Sequence, residues 1–157
     1  MSLTKAKEHL KKYGLDGKVM EFSVSSATVT DAARAIGCKE EEIAKTLSFM
    51  VENKPILIVA AGDARIDNRK FKDEFLEKAK MLAFHDVERL IGHAVGGVCP
   101  FGINEGVLVY LDKSLKRFDS VYPACGSLKS AVKLTLGELE TASGFNKWVD
   151  VCKDIEL

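Results

Sequence analysis

The longest uninterrupted apolar run in this chain is Ile56-Leu57-Ile58-Val59-Ala60-Ala61. A membrane-spanning helix needs about 20 apolar residues, so the run is far too short for that. Apolar at odd and even positions alike, it reads as a central strand covered on both faces. Lys45-Thr46-Leu47-Ser48-Phe49-Met50-Val51 reads as a second strand just before it, with Asn53-Lys54-Pro55 as the turn between them. So short a connection joins antiparallel strands, whereas parallel neighbours need a long crossover. The hairpin therefore argues against a purely parallel, doubly wound sheet.

Around this hairpin, helical and strand patterns alternate. Leu3, Ala6, Leu10 and Tyr13 recur at helical spacing, and Gly14 stops that helix. Val19 to Phe22 reads as a short strand. Thr28-Val29-Thr30-Asp31 resembles a capping box and opens a helix that Gly37 ends, with a short acidic helix at Glu40 to Ala44 behind it. A charged helix is expected over Asp67 to Glu77, a strand over Lys80 to Phe84, and a helix from His85-Asp86 through Ile91. Val107 to Leu111, Val121 to Cys125 and Ala131 to Leu136 read as the remaining strands. Asp112 to Phe118 reads as a turn or short helix between them, and Thr135-Leu136-Gly137-Glu138 caps a final helix through Ala142. The order predicts an α+β fold, a mixed, curved sheet with helices packed outside it.

The chain has 157 residues, within the usual scale of roughly 100–200 for one domain. No repeat, low-complexity tract or Pro/Gly/Ser-rich linker divides it, so residues 1–157 are expected to form a single domain. Lys plus Arg number 23 and so do Asp plus Glu, giving zero formal net charge. Non-specific binding along DNA calls for a strongly basic surface, so any nucleic-acid contact here must be a local patch and DNA is not an expected partner. Charges occupy the N-terminal segment where a secretory peptide would carry its apolar core. Cys38, Cys99, Cys125 and Cys152 form no C-x-x-C pair and read as reduced thiols of a cytoplasmic protein rather than a disulfide framework or zinc site.

Familiar catalytic motifs are missing. There is no phosphate-binding G-x-x-x-x-G-K-[ST], no G-x-G-x-x-G, no H-E-x-x-H and no G-x-S-x-G, and His9, His85 and His93 lack metal-ligand spacing. No metal or organic cofactor is indicated. The unusual segment is Gly96-Gly97-Val98-Cys99-Pro100-Phe101-Gly102, whose backbone could approach a ligand closely and present N–H donors to a developing oxyanion. The same residues also suit a tight connection between elements. Lys45, at the start of the apolar hairpin, is either a solvated strand-end charge or a cation that binds phosphate or polarises a carbonyl. Cys99, with His93 six residues before it, could be a nucleophile or an inert buried thiol. Asp63, Arg65 and Asp67 follow the central strand, and the basic runs Lys5–Lys12 and Arg65–Lys72 could meet phosphates or simply be solvated faces.

Taken in order, Thr28-Val29-Thr30-Asp31-Ala32-Ala33, Ile43-Ala44-Lys45-Thr46-Leu47, Ile58-Val59-Ala60-Ala61-Gly62-Asp63, the 96–102 loop and Leu111-Asp112-Lys113-Ser114-Leu115 resemble the YbaK/EbsC family of aminoacyl-tRNA deacylases. That family is related to the editing domain inserted in bacterial prolyl-tRNA synthetases, and the resemblance spans roughly residues 20–140. It implies a six-stranded, barrel-like mixed sheet and hydrolysis of the ester joining a wrong amino acid to a tRNA 3′ end, with Cys- or Ala-tRNA for proline as the expected substrate. It implies a key lysine at Lys45 and a substrate-binding set of Thr46, Gly96, Gly97, Val98, Cys99, Pro100, Gly102 and Gly126. The implied partners are the aminoacyl-tRNA 3′ end and a prolyl-tRNA synthetase that delivers it. Cys99 stands where serine is common in relatives, which speaks against a required cysteine nucleophile. No residue pattern demands a second copy of the chain. Two other readings stay open. One is a binding module of the same fold without turnover, and the other is a thiol enzyme using Cys99.

Overall fold

The computed structural model describes residues 2–154. β2 (Ile43–Val51) and β3 (Lys54–Ala61) pair antiparallel along their length, from Ala44 opposite Ala61 to Val51 opposite Lys54. The turn is Glu52-Asn53, one residue earlier than the composition suggests. Both residues take positive φ, 51° and 62°, as in the two-residue hairpin turn whose twist matches its flanking strands. Pro55 enters β3 opposite Met50. The Met50 N–H is turned away from it and donates to the Lys80 carbonyl at 2.9 Å.

The main sheet has six strands in the order β7-β5-β2-β3-β4-β8, with β4 at Leu108–Asp112, β5 at Ser120–Pro123, β7 at Leu134–Thr135 and β8 at Lys147–Val149. β2–β5, β3–β4 and β4–β8 are parallel, while β2–β3 and β5–β7 are antiparallel. The sheet is mixed and curls into a half-barrel, as expected. A separate two-stranded ribbon pairs β1 (Val19–Glu21) with β6 (Ser130–Val132). Among the described residues five α-helices accompany the strands: α1 (Ser2–Lys11), α2 (Val29–Ile36), α3 (Asn68–Phe75), α4 (Phe84–Ile91) and α5 (Leu136–Ser143).

The alternation along β3 explains why that strand is apolar throughout. Leu57, Val59 and Ala61 join the larger core with Leu10, Phe101, Leu111 and Leu139. Ile56 and Ile58 face a second core with Phe49, Phe71 and Tyr110. Each such large side chain, fully buried, stabilises the fold by roughly 1.5–3 kcal/mol. Helix ends follow the caps. Thr28 Oγ1 accepts from Asp31 N at 3.1 Å, Asp67 Oδ1 from Lys70 N at 3.0 Å, and Thr135 and Glu138 exchange both bonds of a capping box.

Several expected elements are altered. Lys80 to Leu82 runs alongside β2, with a single bridge from Met81 to Phe49 and a bond from Leu82 N to Ser48 O. It stops there because Ala83 already serves as N-cap of α4. Ala131 to Leu136 splits, its first half pairing with β1 and its second with β5. Glu40–Glu42 is one 3-10 turn, and Ile43 and Ala44 already belong to β2. The charged helix ends at Phe75, two residues short of the expected Glu77, because Leu76 takes a left-handed φ of 63°. β8 was not expected: three residues carry too little periodicity to read, and only its pairing with β4 makes it a strand.

Candidate active site

A cavity of about 340 Å³ lies between α2, the start of α4 and the first half of β2. Ile43 to Ser48 form one wall, Thr28, Val29 and Ala32 another, and Met81, Leu82, Phe84 and Val87 a third. Val95, Gly96 and Val98 close it from the glycine-rich loop, together with Tyr122, Ala124 and Ser130. Its size is at the small end for ligand cavities.

Of the residues singled out by sequence, Lys45, Thr46, Gly96 and Val98 meet at this cavity. Lys45 lies on β2 opposite Ala60. Its Nζ donates to the carbonyl oxygens of Gly62, at 3.3 Å, and Ala64. An ammonium has three N–H donors, so two are directed at the turn after β3. That turn is braced from the other side: Asp63 accepts two bonds from Arg117, at 2.5 and 3.1 Å, and Ala64 N donates to Ala61 O. Burial lowers the Lys45 pKa, opposed by the nearby Cys152 and Asp63. The hydrogen bonds from Arg117 hold the Asp63 carboxyl below its usual range.

Thr46, the neighbour of Lys45, carries a buried Oγ1 with no hydrogen-bond partner among the described residues. An unpaired buried hydroxyl costs about 1–3 kcal/mol. Two other hydroxyls of the wall are committed to the protein: Ser26 Oγ donates to Leu128 O at 3.1 Å, and Ser130 Oγ to Cys125 O at 3.2 Å. Thr46 thus offers the cavity a hydroxyl that no described residue engages.

The rest of the loop does structural work. Gly97 packs on the Gly126–Ser127 backbone so closely that a Cβ would lie 2.6 Å from Ser127 N and 2.7 Å from the Gly126 carbonyl carbon. Gly97 N also donates to Ala94 O at 3.0 Å. Gly102, at φ 66°, abuts the Lys5 backbone, and Gly126, at φ 85°, abuts the backbone of Ser2. Pro100 and Cys99 are buried, and neither they nor Gly97, Gly102 and Gly126 line the cavity.

Cys99 cannot act as a His93-activated nucleophile. His93 Nε2 lies 2.6 Å from Phe101 O and 3.5 Å from Cys99 Sγ. A carbonyl only accepts, so Nε2 carries its proton and has no lone pair for the thiol. Burial pushes the Cys99 thiol pKa far up, and lowers that of His93. A thiolate is the reactive form, and burial disfavours it at Cys99. Among the other early candidates, Asp67 caps α3 and Arg65 is exposed.

Sequence reading did not find the apolar rim. Phe84, Met81 and Val95 are 77%, 58% and 41% exposed at the cavity. No periodicity marks them, because Met81-Leu82-Ala83-Phe84 reads as core strand until the α4 cap turns Phe84 outward. Among the described residues no group of three or more His, Cys, Asp or Glu side chains converges to hold a metal, and no helix is long and apolar enough to cross a membrane.

Known proteins share this sequence pattern and fold. The model of the aminoacyl-tRNA editing domain matches residues 24–142, a span that contains every cavity residue. The chain is 51% identical to the uncharacterized protein YwhH of Bacillus subtilis (strain 168), over 99% of this chain and 100% of that one. It is 25% identical to proline–tRNA ligase of Streptococcus equi subsp. equi (strain 4047) over 139 residues, which is 86% of this chain and only 22% of the ligase. A crystal structure described as a proposed trans-editing enzyme for prolyl tRNA synthetase superposes with a TM-score of 0.87 at 28% identity, covering 98% of both chains. With the cavity, the Lys45 strand and the glycine loop all inside the matched span, the chain belongs to the aminoacyl-tRNA editing domain family.

Proposed function

We propose that residues 1–157 act as one trans-acting editing domain that hydrolyses the ester of a mischarged tRNA, Cys- or Ala-tRNA for proline, in the cytoplasm, with a prolyl-tRNA synthetase delivering the tRNA. One observation carries the reading: a single small cavity joins Lys45, the unpartnered Thr46 hydroxyl and the Gly96–Val98 turn. It is supported by the family membership and by the likeness of 86% of this chain to a proline–tRNA ligase.

In this reading the aminoacyl group enters the cavity. Backbone N–H groups of Gly96 and Val98 hold the ester carbonyl as it becomes an oxyanion, a role in which one good donor is worth about 3 kcal/mol. The Gly97 N–H is engaged by Ala94 and takes no part. The third N–H of Lys45 reaches a ribose or phosphate oxygen of the terminal adenosine, while the Gly62 and Ala64 carbonyls keep the ammonium in place. Thr46 Oγ1 bonds a polar atom of the aminoacyl group. Water attacks the carbonyl carbon, with the neighbouring ribose hydroxyl positioning it, or a substrate thiol attacks first and water then opens the cyclic thioester so formed. A new bond forms there, the ester C–O bond breaks, and the ribose oxygen leaves with a proton. An activated ester needs no protein nucleophile, which accords with a buried Cys99 thiol.

The test is hydrolysis of a panel of mischarged tRNAs, with correctly charged controls, by the wild type, Lys45→Ala and Cys99→Ser. The expected result is turnover of a mischarged species that Cys99→Ser retains within a few-fold and Lys45→Ala loses by at least 100-fold. Tight tRNA binding with no turnover on any species would replace the deacylase by a binding module.

A further inference from the structure

We propose that Phe84 is the stacking platform for the adenine of the tRNA 3′-terminal nucleotide, a role that rests on the editing reading of the cavity. Eight large hydrophobic side chains are exposed among the described residues, and three of them, Met81, Phe84 and Val95, stand at this one cavity. Exposed apolar groups scattered singly need no explanation, but a cluster at the mouth of a cavity marks a contact surface. Phe84 is the only aromatic residue of the three, and at 77% exposure its ring packs little against the protein.

The editing reading fixes where the nucleoside goes. With the aminoacyl group beside Lys45 and Thr46, the base attached to the same ribose meets the part of the lining formed by Met81, Phe84 and Val95. The rim offers a base what bases bind without sequence preference: an open aromatic face, with the Met81 thioether and the Val95 methyls beside it. Every tRNA ends in the same adenine, so recognition there needs no reading of hydrogen bonds on the base edge. Phe84 is also rigidly carried. It is the first residue of α4, whose Val87 and Ile91 are buried, and the Ala83 N-cap follows Leu82, which bonds to β2.

The test uses a non-hydrolysable mimic, adenosine with its 3′ oxygen replaced by an amide-linked alanine, and the same compound without the base. Binding of both to the wild type, Phe84→Ala and Phe84→Trp is measured by calorimetry, alongside hydrolysis of mischarged tRNA. Phe84→Ala is expected to weaken the adenosine mimic by roughly 5- to 100-fold, the range for loss of one base stack, with the base-free compound unaffected. Phe84→Trp is expected to bind at least as well as the wild type. Equal affinity of wild type and Phe84→Ala for the adenosine mimic overturns the proposal. So does an equal loss for the base-free compound, which would mean a distorted cavity, and so does a wild type that binds no adenosine mimic. If the base-dependent loss is seen but wild type turns over no mischarged tRNA, the platform stands and the deacylase reading alone fails.

Discussion

At Lys45 two physical demands meet. An ammonium on a half-buried strand loses hydration, and the Gly62 and Ala64 carbonyls replace part of it. Because burial lowers its pKa, the folded protein releases this proton at a lower pH than the unfolded chain does. Between the lowered value and the ordinary 10.5 the unfolded state binds more protons, so stability rises with pH across that window. Any ligand contact that needs the cation weakens over the same window. An NMR titration of the Lys45 Cε signal, assigned with Lys45→Arg, is expected to have its midpoint below 10.5; a midpoint at or above it would remove this account. Lys45 stood out only through the family resemblance of Ile43-Ala44-Lys45-Thr46-Leu47, because a lysine at a strand end is by itself most often a solvated charge. Its carbonyl partners were not legible, since they lie 17 and 19 residues away and meet it only across the β2–β3 pair. Thr46 shows the same limit: sequence shows a hydroxyl, and only packing shows that none of the described residues bonds it.

Among the elements, the glycine loop divides into two jobs that its composition does not separate. Gly96 and Val98 face the cavity, whereas Gly97 allows the loop to rest on the 126–127 backbone. A Cβ at Gly97 meets backbone atoms that no rotamer change can move. Gly97→Ala is therefore expected to lower stability by about 1–3 kcal/mol, the usual cost of overpacking, and to reduce activity by shifting the neighbouring Gly96. Urea unfolding with a parallel hydrolysis assay checks both; an unchanged midpoint would show that the loop and the 126–127 turn are not in close contact. Helix caps were legible because capping is local: Thr28, Thr135 and their acidic partners sit three residues apart. The boundary at Ala83 was less so, because Lys80 to Leu82 is extended by its neighbour β2 and not by its own periodicity.

For the whole molecule, zero net charge sets the electrostatics of any tRNA complex. A protein that reads one 3′ end neutralises few phosphates and releases few counterions. The logarithm of the affinity for mischarged tRNA against the logarithm of salt is expected to fall with a slope no steeper than about −3, corresponding to roughly three phosphate contacts or fewer. A slope near −6 or steeper would reveal an extended basic footprint that this surface is not expected to provide. The sequence by itself determined the central hairpin, the mixed α+β class, most helix starts and the segments that bear the family likeness, because these depend on residue type and short-range spacing. Tertiary structure alone decided the strand order, the pairing that makes Lys147–Val149 a strand, and the division of the glycine loop. It also decided that Cys99 is sealed beside a His93 nitrogen that is already donating. These outcomes depend on which distant segments pack together, and burial, unpaired groups and pKa shifts arise only from that packing.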